Sequence, residues 1–222
     1  MNLALFDLDH TLIPFDSGMA WTGFLVARGV LPAQAEAQYL EFCQQYVAGT
    51  LDIHAMHRAN IRPLMHLARP VLARLLREFE AEIAPRVPAS MRALVARHRE
   101  AGDLCAIVTA TTRFIAEPFA RLFDTPHLVA TEAASTDAGM TGEIEGEPCY
   151  REHKLTRVER WLAGLGSGAP DRLTGFGRSW FYSDSASDLP LLRTVSNPVA
   201  VRPDARLRAH ALEAGWPILD AL

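Results

Sequence analysis

Leu3-Ala4-Leu5-Phe6-Asp7-Leu8-Asp9-His10-Thr11 is the stretch on which the fold of this 222-residue chain turns. Its first four residues are an apolar run with no helical period, which reads as a buried strand. Asp7 and Asp9 follow at the strand's carboxyl end, where open parallel sheets bind ligands. On an extended backbone both carboxylates lean to one side while Leu8 points into the core. Two acids so crowded repel one another and ask for a cation or a shared proton. A lone Asp-x-Asp reads equally well as a polar loop with an Asx turn.

Further apolar runs recur at Leu104–Val108, Leu128-Val129, Trp180–Tyr182 and Val199–Val201. Helical patterns separate them at Ala89–Ala101, Arg113–Leu122, His153–Leu162, Ala186–Arg193 and Ala205–Ala214. Strands alternating with helices predict an α/β fold, a doubly wound parallel sheet. Between about Gly18 and Glu82 the alternation stops. Four helical stretches fill it: Ala20–Arg28, Pro32–Val47, Leu51–Leu67 and Pro70–Ile83. They read as a small all-helical cap over residues 16–83, inserted after the first strand into a core of residues 1–15 and 84–222. Thr131–Tyr150, with Gly139, Gly142 and Gly146, reads as a hairpin or flap. Gly164–Gly168 reads as a loop after a helix.

A second acidic cluster sits where another strand ends. Trp180-Phe181-Tyr182 leads into Ser183-Asp184-Ser185-Ala186-Ser187-Asp188, and Asp188 is one helical turn beyond Asp184 if a helix starts at Ser185. The sheet edge can bring Asp7, Asp9, Asp184 and Asp188 into one carboxylate-rich pocket, whose hard oxygens suit Mg²⁺. Taken alone, Asp184 and Asp188 are also helix N-caps. Thr109 follows the Leu104–Val108 run, where its hydroxyl could hold an anion, and Lys154 opens a helical stretch after the flap, where it could neutralise a phosphate.

Composition bounds the partners. Hydrophobic residues make up 49% of the chain and the net charge is −4, from 22 basic and 26 acidic residues. No basic stripe stands out, which speaks against nucleic acid as a partner. Cys43, Cys105 and Cys149 are isolated, which speaks against a disulfide framework or a structural zinc site. The start shows no signal peptide, and Ser17–Ala27 is too short for a membrane span. The expectation is a cytoplasmic protein with no membrane partner; oligomeric state is not readable.

Asp7-x-Asp9-x-Thr11, Thr109, Lys154 and Asp184-x-x-x-Asp188 resemble, in type and order, the four motifs of the haloacid dehalogenase-like phosphohydrolases. The helical insert resembles the cap of that superfamily's phosphoserine phosphatase-like branch. The resemblance implies a phosphatase acting on a small phosphorylated metabolite, an amino acid or amino alcohol phosphate such as phosphoserine or histidinol phosphate. It makes Asp7 the nucleophile, Asp9 the acid and base, and Thr109 and Lys154 the phosphoryl binders. Mg²⁺ would rest on Asp7, the Asp9 carbonyl and Asp184, with Asp188 supporting the metal shell or Lys154.

Substrate contacts are expected from Thr11 in the first motif and from the Thr109-Ala110-Thr111-Thr112-Arg113 segment, of which Ala110 and Arg113 are candidates. Asp16 and Ser17 could meet a substrate amine or hydroxyl, or cap a helix. Arg58, Arg62 and Arg113 are candidate anion readers, against the alternative of ordinary salt bridges. His54 and His57, three apart, lack a third metal ligand and read as surface positions. The sequence departs from the family pattern at His10 and Ser183, where glycine is common, and in the second-strand loop, which is not glycine-rich. Two other activities fit the acidic set: a phosphotransferase or mutase with the same nucleophile, and a phospho-accepting receiver-type signalling domain.

Overall fold

The computed structural model describes residues 1–137, 139–166 and 168–220. Strand β1 (Leu3–Phe6) is followed by helices α1 (Ser17–Ala27), α2 (Gln34–Ala48), α3 (Ile53–Ile61) and α4 (Arg69–Ile83). Helix α5 (Ala89–Glu100) then leads into β2 (Leu104–Thr112), α6 (Arg113–Leu122) and β3 (His127–Thr131). An antiparallel flap of β4 (Ala133–Thr136) and β5 (Gly139–Ile144) precedes α7 (Glu152–Gly164). Strand β6 (Ser179–Ser183), the single-turn α8 (Leu189–Leu192), β7 (Asn197–Val201), α9 (Ala205–Ala214) and β8 (Ile218–Leu219) complete the described chain.

The six-stranded sheet has the order β3-β2-β1-β6-β7-β8, and every pairing in it is parallel. This is the doubly wound α/β fold expected from the alternation. The order runs outward from β1 in both directions, so the sheet reverses at β1. In such sheets the ligand crevice lies beyond the carboxyl ends of the strands at the reversal. The first motif therefore sits where the topology opens a site.

Side chains alternate across the sheet with the period of two that strands impose. Ala4, Phe6, Ile107, Tyr182 and Val199 face one layer, where α1, α4, α5 and α6 supply Trp21, Phe24, Phe79, Met91 and Phe119. Leu3, Leu5, Ala106, Val108 and Phe181 face the other, where α7, α8 and α9 supply Val158, Leu162, Leu191 and Leu207. Burying each such side chain contributes roughly 1.5–3 kcal/mol. Trp21 and Phe24 stack face to face, and Phe79 meets Trp21, Phe24 and Phe119 edge to face across α1, α4 and α6. They bind the helical segment firmly to the sheet. Leu51, Ile53 and Tyr150 form a separate small cluster beneath α2 and α3.

Several boundaries differ from the sequence reading, each for a local reason. Strand β2 continues past Val108 to Thr112, with a register shift against β3 between those residues, so Thr109 lies inside a bulged strand rather than beyond its end. The stretch from Leu51 yields only α3, because Pro63 lacks an N–H and the chain tightens into a 3₁₀ turn at Arg62–Leu64. Ala186–Asp188 is likewise a 3₁₀ turn, and only Leu189–Leu192 is α-helical. Strand β8, two residues long, gave no apolar run to find. Ser167, within the Gly164–Gly168 stretch, and Ala138, within Thr131–Tyr150, lie outside the described residues. Cys43, Cys105 and Cys149 are free thiols, and among the described residues no helix is long and apolar enough to cross a membrane.

Candidate active site

Asp7 continues β1 by one residue: its N–H donates to the Tyr182 carbonyl of β6 at 2.9 Å. That bond fixes the side chain at the reversal point of the sheet. Lys154, in the first turn of α7, reaches up from the other layer. Its ammonium donates to Asp7 Oδ1 and to Asp188 Oδ2, each at 2.8 Å, and all three residues are buried. Ser183 Oγ donates to the same Asp188 oxygen at 2.7 Å. Among the described residues Asp188 Oδ1 is buried without a partner.

The other members of the first motif are held just as firmly. Asp9 Oδ1 accepts from Ser17 N at 2.6 Å, and Asp9 Oδ2 accepts from Thr111 Oγ1 at 2.7 Å. Thr11 Oγ1 donates to Asp184 Oδ1 at 3.2 Å and accepts from Asp184 N at 3.0 Å, which ties the first motif to the loop after β6. Thr109 Oγ1 accepts from Thr111 N at 3.1 Å, leaving its proton free to donate. His10 takes a left-handed backbone (φ 56°), which accounts for glycine being the usual choice there.

The charges are unbalanced. Burial, then repulsion from Asp188 and Asp9, lifts Asp7 to about 7 despite its contact with Lys154. Burial and the carboxylates of Asp7 and Asp188 push Asp184 well above the carboxylate range. Burial raises Asp9 also, with Asp16 adding repulsion. For Lys154 burial favours the neutral amine, but Asp188 and Asp7 outweigh it and hold the pKa well above that of an ordinary lysine. One ammonium thus faces three carboxylates in a poorly hydrated space.

Several candidate residues are engaged within the protein. Among the described residues no group of three or more His, Cys, Asp or Glu side chains is arranged to hold a metal ion. The Asp9 side chain is turned to Ser17 and Thr111, and that of Asp188 to Lys154 and Ser183. Thr11 engages Asp184 through its hydroxyl. Ala110 offers its carbonyl to Thr131 Oγ1 at 2.8 Å. Arg113 turns away to Glu132 at 2.8 Å and to the Leu128 carbonyl. Arg58 and Arg62 both bind Glu143 of the flap, each at 3.2 Å. Asp16 N-caps α1 through Met19 N at 2.7 Å, the bland alternative of the sequence reading, and it is half-buried within the field of Asp9. His57 is not a surface residue: it is 1% exposed, with Nδ1 against Thr112 Oγ1 and Nε2 against the Glu143 carbonyl.

Three residues that the sequence reading passed over belong to this site. Thr111 steers Asp9. Tyr46 of α2 places its hydroxyl between Ser185 Oγ at 3.1 Å and Ser187 Oγ at 2.9 Å, and so clamps the helical segment onto the Asp184 loop. Tyr39 lies buried beside Asp16. Thr111 was recoverable from the run of threonines after β2, whereas the two tyrosines carried no local signal.

The comparisons with known proteins agree with this architecture. The profile of the haloacid dehalogenase-like hydrolases matches residues 4–193. A histidinol-phosphatase of Neisseria meningitidis is 42% identical over 222 residues, covering 99% of this chain and 98% of that protein. A Bordetella pertussis protein of unknown function has a crystal structure that is 40% identical, covers 99% of this chain and 98% of its own, and superimposes with a TM-score of 0.89. A substrate-bound phosphoserine phosphatase, 14% identical, shares the fold with a TM-score of 0.65 over 99% of this chain and 92% of its own. With the profile spanning most of the sequence and a full-length relative at this identity, the chain belongs to the haloacid dehalogenase-like hydrolase family.

Proposed function

We propose that this hydrolase is a Mg²⁺-dependent phosphomonoesterase that works through an aspartyl-phosphate on Asp7. Its substrate is a small phosphorylated amino acid or amino alcohol such as histidinol phosphate. The observation that carries the reading is the buried Asp7–Lys154–Asp188 bridge at the carboxyl end of the central strand. It presents one carboxylate oxygen beside a fixed ammonium, as attack on an anionic phosphoryl group requires. The identity to a histidinol-phosphatase supports the substrate class.

The donor set fits a hard divalent cation. Burial and mutual repulsion disfavour the ionised forms of Asp7 and Asp184, and among the described residues Asp188 Oδ1 is buried with no partner. The carboxylates of Asp7 and Asp184 and the Asp9 carbonyl are the groups that would hold Mg²⁺, which when bound neutralises phosphoryl and carboxylate charge. The rest follows from the chain's own residues. An Asp7 carboxylate oxygen attacks phosphorus while the bond to the substrate alcohol breaks. Asp9, whose protonated form burial favours, gives its proton to the departing oxygen. Asp9 then takes a proton from water, which attacks the phosphoryl group and frees Asp7 and inorganic phosphate. Lys154 and the free hydroxyl proton of Thr109 hold phosphoryl oxygens throughout.

The test is hydrolysis of an aryl phosphate and of a panel holding histidinol phosphate, phosphoserine and sugar phosphates. Wild type should require Mg²⁺, and Asp7→Asn should lose at least about a thousandfold in kcat while remaining folded. Near-normal turnover by Asp7→Asn would end the reading.

A further inference from the structure

The acid of the proposed reaction, Asp9, is held from two elements at once. Its Oδ1 accepts from Ser17 N at 2.6 Å, a backbone donor at the start of α1. Its Oδ2 accepts from Thr111 Oγ1 at 2.7 Å, a side-chain donor near the end of β2. Ser17 Oγ stands 3.0 Å from Thr111 Oγ1. Since the Thr111 proton goes to Asp9, Ser17 donates in that second contact, and the chain runs from Ser17 through Thr111 to Asp9.

The place of Thr111 on β2 gives this contact its meaning. Residues two apart on a strand share a face. Thr109 and Thr111 are two apart, and the Thr111 N–H closes on Thr109 Oγ1 at 3.1 Å. Thr109 is the hydroxyl assigned above to a phosphoryl oxygen. One short stretch therefore carries the group that meets the phosphoryl oxygens and the group that fixes Asp9 beside them. Threonine is stiff at χ1, so its hydroxyl keeps one direction. Valine suits such a strand position as well. What threonine adds is the hydroxyl, and among the described residues that hydroxyl meets Asp9 and Ser17.

We propose that Thr111 is a positioning residue for the acid step: its hydroxyl aims the Asp9 carboxyl at the oxygen of the departing alcohol. As the bond from Asp7 to phosphorus forms, the bond from phosphorus to that oxygen breaks. Its electron pair stays on the oxygen, and the Asp9 proton lands there. Without the Thr111 hydroxyl the carboxyl keeps Ser17 N alone and can turn away. A leaving group that is stable as an anion needs the proton little; an alkoxide needs it most. The inference rests on the phosphatase reading above and deepens it.

The experiment compares kcat/KM, with Mg²⁺, for 4-nitrophenyl, phenyl and benzyl phosphate. Their bodies are similar in size and their leaving oxygens are increasingly basic. This constant covers the steps up to loss of the alcohol, so later hydrolysis of the aspartyl-phosphate does not enter it. Thr111→Val should lower the benzyl-to-nitrophenyl ratio by at least about tenfold, the scale of a lost alignment, with phenyl phosphate between. Thr111→Ser keeps the hydroxyl and should return the ratio to within about threefold of wild type. Thermal unfolding checks that the variants fold, and Thr111→Ala makes the same comparison should Thr111→Val not fold. An equal loss on all three esters, as a merely structural role would give, overturns the inference. So does an unchanged ratio, or no recovery in folded Thr111→Ser. A wild type that cleaves only the nitrophenyl ester has an idle acid and overturns it too. Absence of nitrophenyl phosphate cleavage by wild type overturns the phosphatase reading itself, and this inference with it.

Discussion

Replacing Lys154 with methionine removes the ammonium and keeps most of the side chain's volume. In the native protein that ammonium touches Asp7 Oδ1 and Asp188 Oδ2 at 2.8 Å, and all three residues are buried. Deleting one partner of a buried ion pair costs about 3–5 kcal/mol, because the remaining charge is left without water. Two carboxylates are stranded here, but they have an escape. Asp7 is already drawn up to about 7, so it can take a proton cheaply near neutrality. The loss then falls on Asp188, which keeps only Ser183 Oγ. The lower end of the range, about 3 kcal/mol, is the expectation at pH 7.5 without added metal. For a domain of this size that lowers Tm by about 6–12 °C.

The sign of the pH dependence follows. In the variant Asp7, without its ammonium partner, binds its proton more tightly when folded than when unfolded. Stability contributed by that proton is present at low pH and lost as pH rises through the elevated native value. The gap between variant and wild type should therefore shrink toward pH 5. Adding Asp188→Asn to Lys154→Met should recover part of the loss at pH 7.5. Urea unfolding of the three proteins in a chelator, across that pH range, reads all of this. A Lys154→Met protein within about 1 kcal/mol of wild type at pH 7.5, or a gap that does not change with pH, would refute the reasoning.

Three further outcomes are expected. His57 is buried neutral with its pKa below 6.5, so its share of stability is complete above that value and falls away as pH drops below it. Thermal unfolding of wild type and His57→Asn between pH 5.5 and 7.5 should show the two curves converging at low pH; parallel curves would contradict this. Tyr46→Phe deletes the hydroxyl shared by Ser185 and Ser187 and should destabilise by about 1 kcal/mol in equilibrium unfolding, with no effect if the clamp is idle. His10→Gly relieves a left-handed backbone at an exposed position and should raise Tm by a few degrees, about 1 kcal/mol; a fall would mean the His10 side chain is engaged.

The doubly wound core was legible because its signals are local and repeated. Apolar runs at Leu3–Phe6 and Leu104–Val108 end in polar residues, and helices of the right length stand between them. The approach of Asp7, Asp184 and Asp188 was legible for the same reason, since a parallel sheet carries every strand's carboxyl end to one edge; Lys154, on α7, was reached only through the order of the four motifs. The arginines were not. Whether Arg58 reads a substrate or pairs with Glu143 depends on where the flap folds, and nothing within α3 encodes that. His57 was misplaced because its partners, Thr112 and the Glu143 carbonyl, are distant in sequence. Thr109 was placed one step too far because a bulge continues β2 through a run of threonines that reads as a loop.

The central claim is that Asp7 carries the phosphoryl group during turnover. Acid quench of the wild-type enzyme hydrolysing a good phosphomonoester with Mg²⁺, followed by peptide mass mapping, tests it directly. The account predicts covalent phosphate on the peptide bearing Asp7, localised to that residue and missing from Asp7→Asn. Steady turnover with phosphate found on another side chain, or on none at any quench time while Asp7→Asn stays active, would contradict it.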